Sequence, residues 1–294
     1  MSLQSFLYKH KALVPVQLMQ LGLLFRKKNV RKMLKLEVDI VDHCNLKCSG
    51  CDVFSSVAEE FYLPIESYRK DLERIHEIFN ERTERITLLG GEPLLNPQIT
   101  EYIDIAKEIF ADQKKQPLIE IITNGILLNK MPDDFYENCI KNQVLISVTK
   151  YPIKLDYDGI VKSLQERGVD IKFAFGTDET LKTMHRTPID VEGKQDPKLS
   201  FKLCLKANSC ITLKDGKLHT CSQIPALSIF NRRFGQNLEV TEQDYVDIYK
   251  ESDPDVILEK LANYVPACRY CNNLHYRKGI RWKVTEGKME EWTK

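Results

Sequence analysis

The sequence predicts an α/β fold built on a parallel sheet that carries its chemistry at one end. Three observations predict it. Short apolar runs alternate with amphipathic stretches from residue 36 to about 175, the pattern of repeated βαβ units. Two motif-bearing turns directly follow strands, which places them at the C-terminal mouth where such sheets bind ligands. Beyond residue 200 a hairpin signal and a second group of cysteines mark a smaller unit.

The elements follow in order. Residues 36–41 read as a strand. Ile65, Tyr68, Leu72, Ile75, Ile78 and Phe79 recur at helical spacing, giving a helix over 65–79. A buried strand is expected at 85–89, then a helix near 98–110 opening after Asn96 and Pro97. Strand 118–122 leads to a helix near 132–141, strand 144–149 to a helix near 157–167, and strand 169–175 closes the series. About five units are legible, fewer than a closed eight-fold barrel needs. Residues 176–200, with Gly176, Pro188, Gly193 and Pro197, read as a linker or loop. His185 and Arg186 lie there and are expected as a solvated pair, with contact to substrate the second reading.

The chain has 294 residues, enough for one large domain and a smaller one. Its 43 Lys and Arg nearly balance 42 Asp and Glu. Residues 1–35 hold eight basic residues and no acid, so of a net +1 the remainder carries −7. Nucleic acid is therefore not the expected substrate. The apolar stretch 13–25, followed by Arg26, Lys27, Lys28, Arg31, Lys32 and Lys35, is shorter than the ~20 residues that span a bilayer. It lacks the order of a secretory signal. Residues 1–34 are expected as a basic, apolar arm packed on the main domain. Contact of that arm with an anionic membrane surface is the second reading.

Cys44, Cys48 and Cys51 form a C-x3-C-x2-C run within Asp42-His43-Cys44-Asn45-Leu46-Lys47-Cys48-Ser49-Gly50-Cys51. A four-iron cubane normally takes four thiolates. Three leave one iron open, as a chelating cosubstrate needs. Zinc would want a fourth ligand at knuckle spacing. His43 is a poor candidate, since neighbours on an extended chain point opposite ways. A disulfide framework suits short secreted chains. Gly90-Gly91-Glu92-Pro93 follows strand 85–89, with two glycines allowing close backbone approach and a proline fixing the exit. Thr123-Asn124-Gly125 and the Ser147–Thr149 stretch end the next two strands in polar side chains.

Together these motifs resemble the signature of radical S-adenosylmethionine (SAM) enzymes. The resemblance implies a partial (β/α)6-like TIM barrel, possibly incomplete, over residues 35–200. It implies a [4Fe-4S] cluster on Cys44, Cys48 and Cys51. Gly90, Gly91, Glu92 and Pro93 would hold the amino group of SAM's methionine part. Asn124, with Ser147 or Thr149, would meet the carboxylate and ribose. Gly91→Val is then expected to weaken SAM binding with little loss of cluster. Gly50 stands where the family often has an aromatic residue bordering the adenine, so that wall is expected from Phe54 or a later loop.

Cys204, Cys210, Cys221, Cys268 and Cys271 follow. Residues 211–221 read as a hairpin turning at Asp215-Gly216. With Gly216 five residues before Cys221 and a late C-x2-C, the layout resembles the twitch domain, the short form of the SPASM extension. Residues 201–294 are thus expected as a small α+β unit. A second [4Fe-4S] cluster would sit on Cys204, Cys221, Cys268 and Cys271, with Cys210 the competing ligand and a zinc ribbon the alternative. Cys139, in helical surroundings, is expected as a plain buried thiol. The tail around Trp282 and Trp292 is also similar to uncharacterised radical SAM proteins of bacterial surface-polysaccharide gene clusters.

The resemblance implies a cytoplasmic enzyme that cleaves SAM reductively and abstracts hydrogen from a small molecule. A sugar or aminocyclitol undergoing oxidation is expected, with a flavodoxin- or ferredoxin-type electron donor. A peptide-modifying maturase is the alternative, and a non-enzymatic metal-binding protein the remote one.

Overall fold

The computed structural model describes residues 16–24, 30–174 and 181–294. Arg26, Lys27, Lys28, most of the predicted N-terminal arm and Gly176 lie outside the described residues.

The central sheet has eight strands in the order β5-β4-β3-β2-β1-β7-β8-β9. These are β1 (Leu34–Val41), β2 (Thr83–Gly90), β3 (Leu118–Thr123), β4 (Leu145–Val148), β5 (Ile171–Phe173), β7 (Ile211–Lys214), β8 (Lys217–His219) and β9 (Val246–Asp247). The first six in spatial order, β5 through β7, run parallel. They form a partial barrel. The sixth parallel strand is β7, the first arm of the predicted hairpin, paired to β1 through Leu36↔Ile211 and Val38↔Leu213. A strand read as part of the smaller unit therefore completes the larger sheet. The turn from β7 to β8 uses Asp215 and Gly216, both at positive φ (51° and 69°), the backbone a two-residue hairpin favours. Asp71 fixes that turn by accepting from Gly216 N at 2.9 Å.

Helices cover one face of the sheet. They are α2 (Ile65–Phe79), α3 (Ile99–Ile109), α4 (Asp133–Lys141) and α5 (Tyr157–Glu166), after α1 (Val16–Leu24). Each buries one apolar stripe: Tyr68, Leu72 and Ile75 on α2, Tyr102, Ile103 and Ala106 on α3, Phe135 and Cys139 on α4, Ile160 and Leu164 on α5. These meet Leu36, Val38, Ile40, Ile86, Leu88, Ile119, Ile121 and Ile146 of the strands. Cys139 belongs to this core.

The opposite face is polar. Glu120 accepts from Arg85 at 2.8 Å and from Ser147 Oγ at 2.6 Å. Burial raises Glu37 to about 8 and Asp39 to about 6. Alternation along each strand sends the aliphatic residues to the helices and these groups inward.

The later residues add α6 (Pro197–Leu203), α7 (Gln223–Phe234), α8 (Pro254–Leu261) and α9 (Glu290–Thr293). A second core forms from Phe54, Phe230, Trp292, Ile224 and Leu227, with Cys221 and Cys268 at its edge. Strands β6 (Met184–Arg186) and β10 (Arg277–Ile280) pair antiparallel. Helix α1 lies against α6, and Gln20 donates to Asn273 O at 2.6 Å. No helix among the described residues is long and apolar enough to cross a membrane.

Candidate functional site

A cavity of about 210 Å3 opens at the C-terminal ends of the parallel strands. It brings together Cys44, Cys48 and Cys51 from the loop after β1, Gly90 and Gly91 from the end of β2, and Thr123 and Asn124 from the end of β3. Thr149, Tyr151, Asp52, Lys182, Met184 and His185 are also in its wall.

The cysteine loop is held by N–H groups aimed at sulfur. Leu46 N donates to Cys44 Sγ at 3.4 Å and Trp282 Nε1 to Cys48 Sγ at 3.1 Å. Asn124 Nδ2 lies 3.8 Å from Cys44 Sγ and donates to Asn45 Oδ1 at 2.7 Å. The amides of Val53 and Ser55 face Cys51. Burial nevertheless pushes Cys44 up to about 12 and Cys48 to about 11. A metal centre at such thiols would have to displace their protons.

The loop is also clamped by the tail. Cys48 bridges Val284 in antiparallel fashion, Ser49 N donates to Lys283 O at 2.9 Å, and Thr285 N to Lys47 O at 2.9 Å. Trp292 Nε1 donates to Cys51 O at 2.8 Å. Gly50 is at φ +66°, and a Cβ there would lie 2.6 Å from the Arg186 guanidinium. An aromatic side chain does not fit at that place. Phe54 is fully buried against Phe230 and Trp292, so it forms no wall of the cavity; Tyr151 does.

Glu92 is completely buried and lies behind the cavity rather than in it. It accepts from Thr123 Oγ1 at 2.7 Å, Asn124 N at 2.8 Å and Leu94 N at 3.1 Å. Burial holds its carboxyl raised, at about 7, against the downward pull of those donors. It therefore ties the end of β2 to the end of β3. Pro93 is buried in the turn that follows. Ser147 is committed to Glu120 inside the sheet and does not line the cavity; Thr149, past the end of β4, does.

Gly90 and Gly91 line the cavity, but the nearest obstacle to a side chain is the protein's own backbone. A Cβ on Gly91 would come within 1.8 Å of His43 O, and one on Gly90 within 2.1 Å of Val41 O. Gly91 N donates to Val41 O at 2.7 Å and Glu92 N to His43 O at 3.1 Å. The glycines let β2 lock onto the start of the cysteine loop.

The later cysteines divide. Cys204 accepts from the backbone of Lys206 and Ala207, each at 3.4 Å. Cys221 faces the amides of Gln223 and Ile224, and Cys268 that of Val265. Cys271 lies beside Cys204, Cys221 and Cys268. Burial, and then the Glu37 carboxyl it meets, raise the Cys210 thiol well above the ordinary range, with Cys221 also acting on it. Among the described residues no three His, Cys, Asp or Glu side chains converge as a single metal ion requires. A four-iron cluster asks for something else, since each thiolate binds its own iron across the cube.

His185, expected in solvent, lines the cavity from β6 with Nε2 3.4 Å from Asp52 Oδ2. Asp52, Tyr151, Lys182, Met184 and Trp282 escaped the motif reading. Asp52 was signalled only by its place beside Cys51, and Trp282 only by a distinctive tail.

A family model described as "Radical SAM superfamily" matches residues 38–157. A GTP 3',8-cyclase from Synechocystis sp. is 33% identical over 110 residues, 37% of this chain and 31% of that one. A GTP 3',8-cyclase from Aliarcobacter butzleri is 35% identical over 104 residues, 34% of this chain and 30% of that one. The chain thus spans about a third of the length of these relatives. The solved structure of BtrN in complex with AdoMet and 2-DOIA matches 90% of this chain and 99% of its own, at 14% identity and a TM-score of 0.51. That is a likeness of fold.

Proposed function

We propose, for a chain whose residues 38–157 match the radical SAM superfamily model, an enzyme that cleaves SAM reductively and takes a hydrogen atom from a small molecule. One observation carries this reading: three free thiols, the two strand-end glycines and Asn124 surround a single cavity. Cys44, Cys48 and Cys51 would hold a [4Fe-4S] cluster with one iron open. When bound, the cluster would supply the electron that breaks the sulfonium, and SAM the radical that takes a hydrogen atom from a C–H bond. The protein's part is to hold, orient and exclude water. Leu46, Trp282 and the amides after Cys51 give N–H groups to sulfur, which tune a cluster's potential. Asn124 and Thr149 offer polar groups to SAM, and Tyr151 offers a ring for adenine.

The second cysteine group is read as a further [4Fe-4S] site within a twitch-like unit over residues 201–294, with Cys204, Cys221, Cys268 and Cys271 as ligands. Cys204, Cys221 and Cys268 have amides at their sulfurs, and Cys271 lies among them. Cys210 is engaged with the Glu37 carboxyl and is read as the spare. A redox-active centre there could accept the electron left on a substrate radical. The net reaction would then be oxidation of a sugar- or aminocyclitol-like alcohol, with a flavodoxin- or ferredoxin-type donor supplying the first electron. The structure of BtrN, alike in fold along nearly the whole chain, holds AdoMet and 2-DOIA, which is compatible with this reading.

Metal analysis tests the cofactor reading. Anaerobically reconstituted protein is expected to hold about eight irons and eight acid-labile sulfides per chain, from two four-iron clusters. About four irons with one zinc would make the second site a zinc knuckle. Product assays test the roles. Replacing Cys268 and Cys271 by Ala should leave SAM cleavage but stop formation of an oxidised product, whereas Cys210→Ala should do much less. Full product formation without Cys268 and Cys271 would reduce the second site to a bystander. Loss of fold in the same variant would make it structural.

A further inference from the structure

A buried ion pair joins the two cysteine groups. Asp52 follows Cys51 and lines the cavity; Lys206 stands two residues after Cys204. Lys206 Nζ lies 2.7 Å from Asp52 Oδ1, with only 14% and 27% of the two side chains exposed. His185 touches the other carboxylate oxygen at 3.4 Å. The lysine's charge acts on Cys51 on one side and on Cys221 and Cys271 on the other. Its backbone N–H separately points at Cys204 Sγ.

Such a charge has a definite consequence for a cluster. Four thiolates give a four-iron centre a net negative charge that grows on reduction. Buried charge is costly unless it is compensated, and net charge with hydrogen bonding sets the potential. A nearby ammonium favours the reduced state, and a carboxylate paired to that ammonium takes part of the effect away. We propose that Lys206 raises the reduction potential of the second cluster and that Asp52, by pairing with it, limits the rise. Lys206 is a positioning and tuning residue; it touches no reacting atom. This inference rests on the second cluster proposed above.

The test is a potentiometric titration of the fully reconstituted enzyme, following the paramagnetic signal that SAM does not perturb. Lys206→Gln removes the charge and keeps the backbone N–H. Its midpoint is expected to fall, so that the reduced-to-oxidised ratio at the wild-type midpoint drops about tenfold, about 59 mV for one electron. Asp52→Asn should move the midpoint the other way, and Lys206→Arg should restore it. A general loosening of the site would not move the two variants in opposite directions. An unmoved midpoint in Lys206→Gln, or shifts of the same sign in both variants, overturns the proposal. If Lys206→Gln loses iron, the upward shift in Asp52→Asn is still required. About four irons per chain and no SAM-insensitive signal would remove the second cluster and this inference together; about eight irons with an unmoved midpoint would remove the inference alone.

Discussion

Replacing Cys44, Cys48 and Cys51 together by Ala is expected to abolish formation of 5′-deoxyadenosine from SAM under strong reductant, while about four irons remain bound. The three thiols line one cavity with Gly90, Gly91 and Asn124, so removing them removes the electron source for cleavage and the place where SAM would chelate. The fold should survive. The sheet core of Leu36, Val38, Ile40, Ile86 and Ile121 does not include the loop, and the Ser49–Lys283 and Thr285–Lys47 hydrogen bonds are made by backbone. Iron counting, circular dichroism and a SAM cleavage assay separate the outcomes. Continued cleavage by the triple variant would move the chemistry away from this loop. Loss of all iron with retained fold would mean that the second group binds no cluster by itself.

Much of the barrel was legible because each helix–strand pair repeats one physical pattern. A stripe such as Tyr68, Leu72 and Ile75 can only face a core, and the helix spans 65–79 as the spacing requires. The sixth parallel strand was misplaced for an equally physical reason. Residues 211–214 carry a hairpin signal that fixes their partner on one side, β8, but nothing local tells a strand that its other edge pairs with β1, some 170 residues earlier. Long-range pairing leaves no mark on a short segment.

The site was legible to the same degree and for the same reason. Cys44, Cys48, Cys51, Gly90, Gly91 and Asn124 sit at strand ends, and strand ends of a parallel sheet meet. Ser147 failed that logic by two residues: it still lies within β4, where Glu120 of the neighbouring strand takes its hydroxyl, whereas Thr149, just past β4 and still bonded through its N–H to Thr123 O, lines the cavity. His185 was read as solvated because a polar linker gives no sign that β10 will capture it as β6. Trp282 and Trp292, more than 230 residues from the loop they grip, were visible only as an unusual tail.

Gly91→Val tests what the glycine pair does, and the expected result differs from the one the motif alone suggests. Read as a ligand cradle, the substitution weakens SAM binding and spares the cluster. In the structure the new Cβ would stand 1.8 Å from His43 O, with His43 C at 2.3 Å and Asp42 O at 2.9 Å. These are backbone atoms at the start of the cysteine loop, not side chains that can rotate away. The hydrogen bonds Gly91 N to Val41 O and Glu92 N to His43 O hold the two segments at that distance. Relief requires the loop to move, at a cost of about 3 kcal/mol or more, the upper end for overpacking. Iron at the first site and SAM affinity should therefore fall together, and Gly91→Ala should already show the effect because the collision begins at Cβ. Iron at the second site should be retained, since Cys204, Cys221, Cys268 and Cys271 lie on other segments. Binding of SAM measured by equilibrium methods, beside iron content resolved by Mössbauer spectroscopy, decides the matter. A Gly91→Val protein with a full first cluster and weakened SAM affinity would return the glycines to the role of a ligand cradle; unchanged affinity and iron would make the segment an ordinary turn.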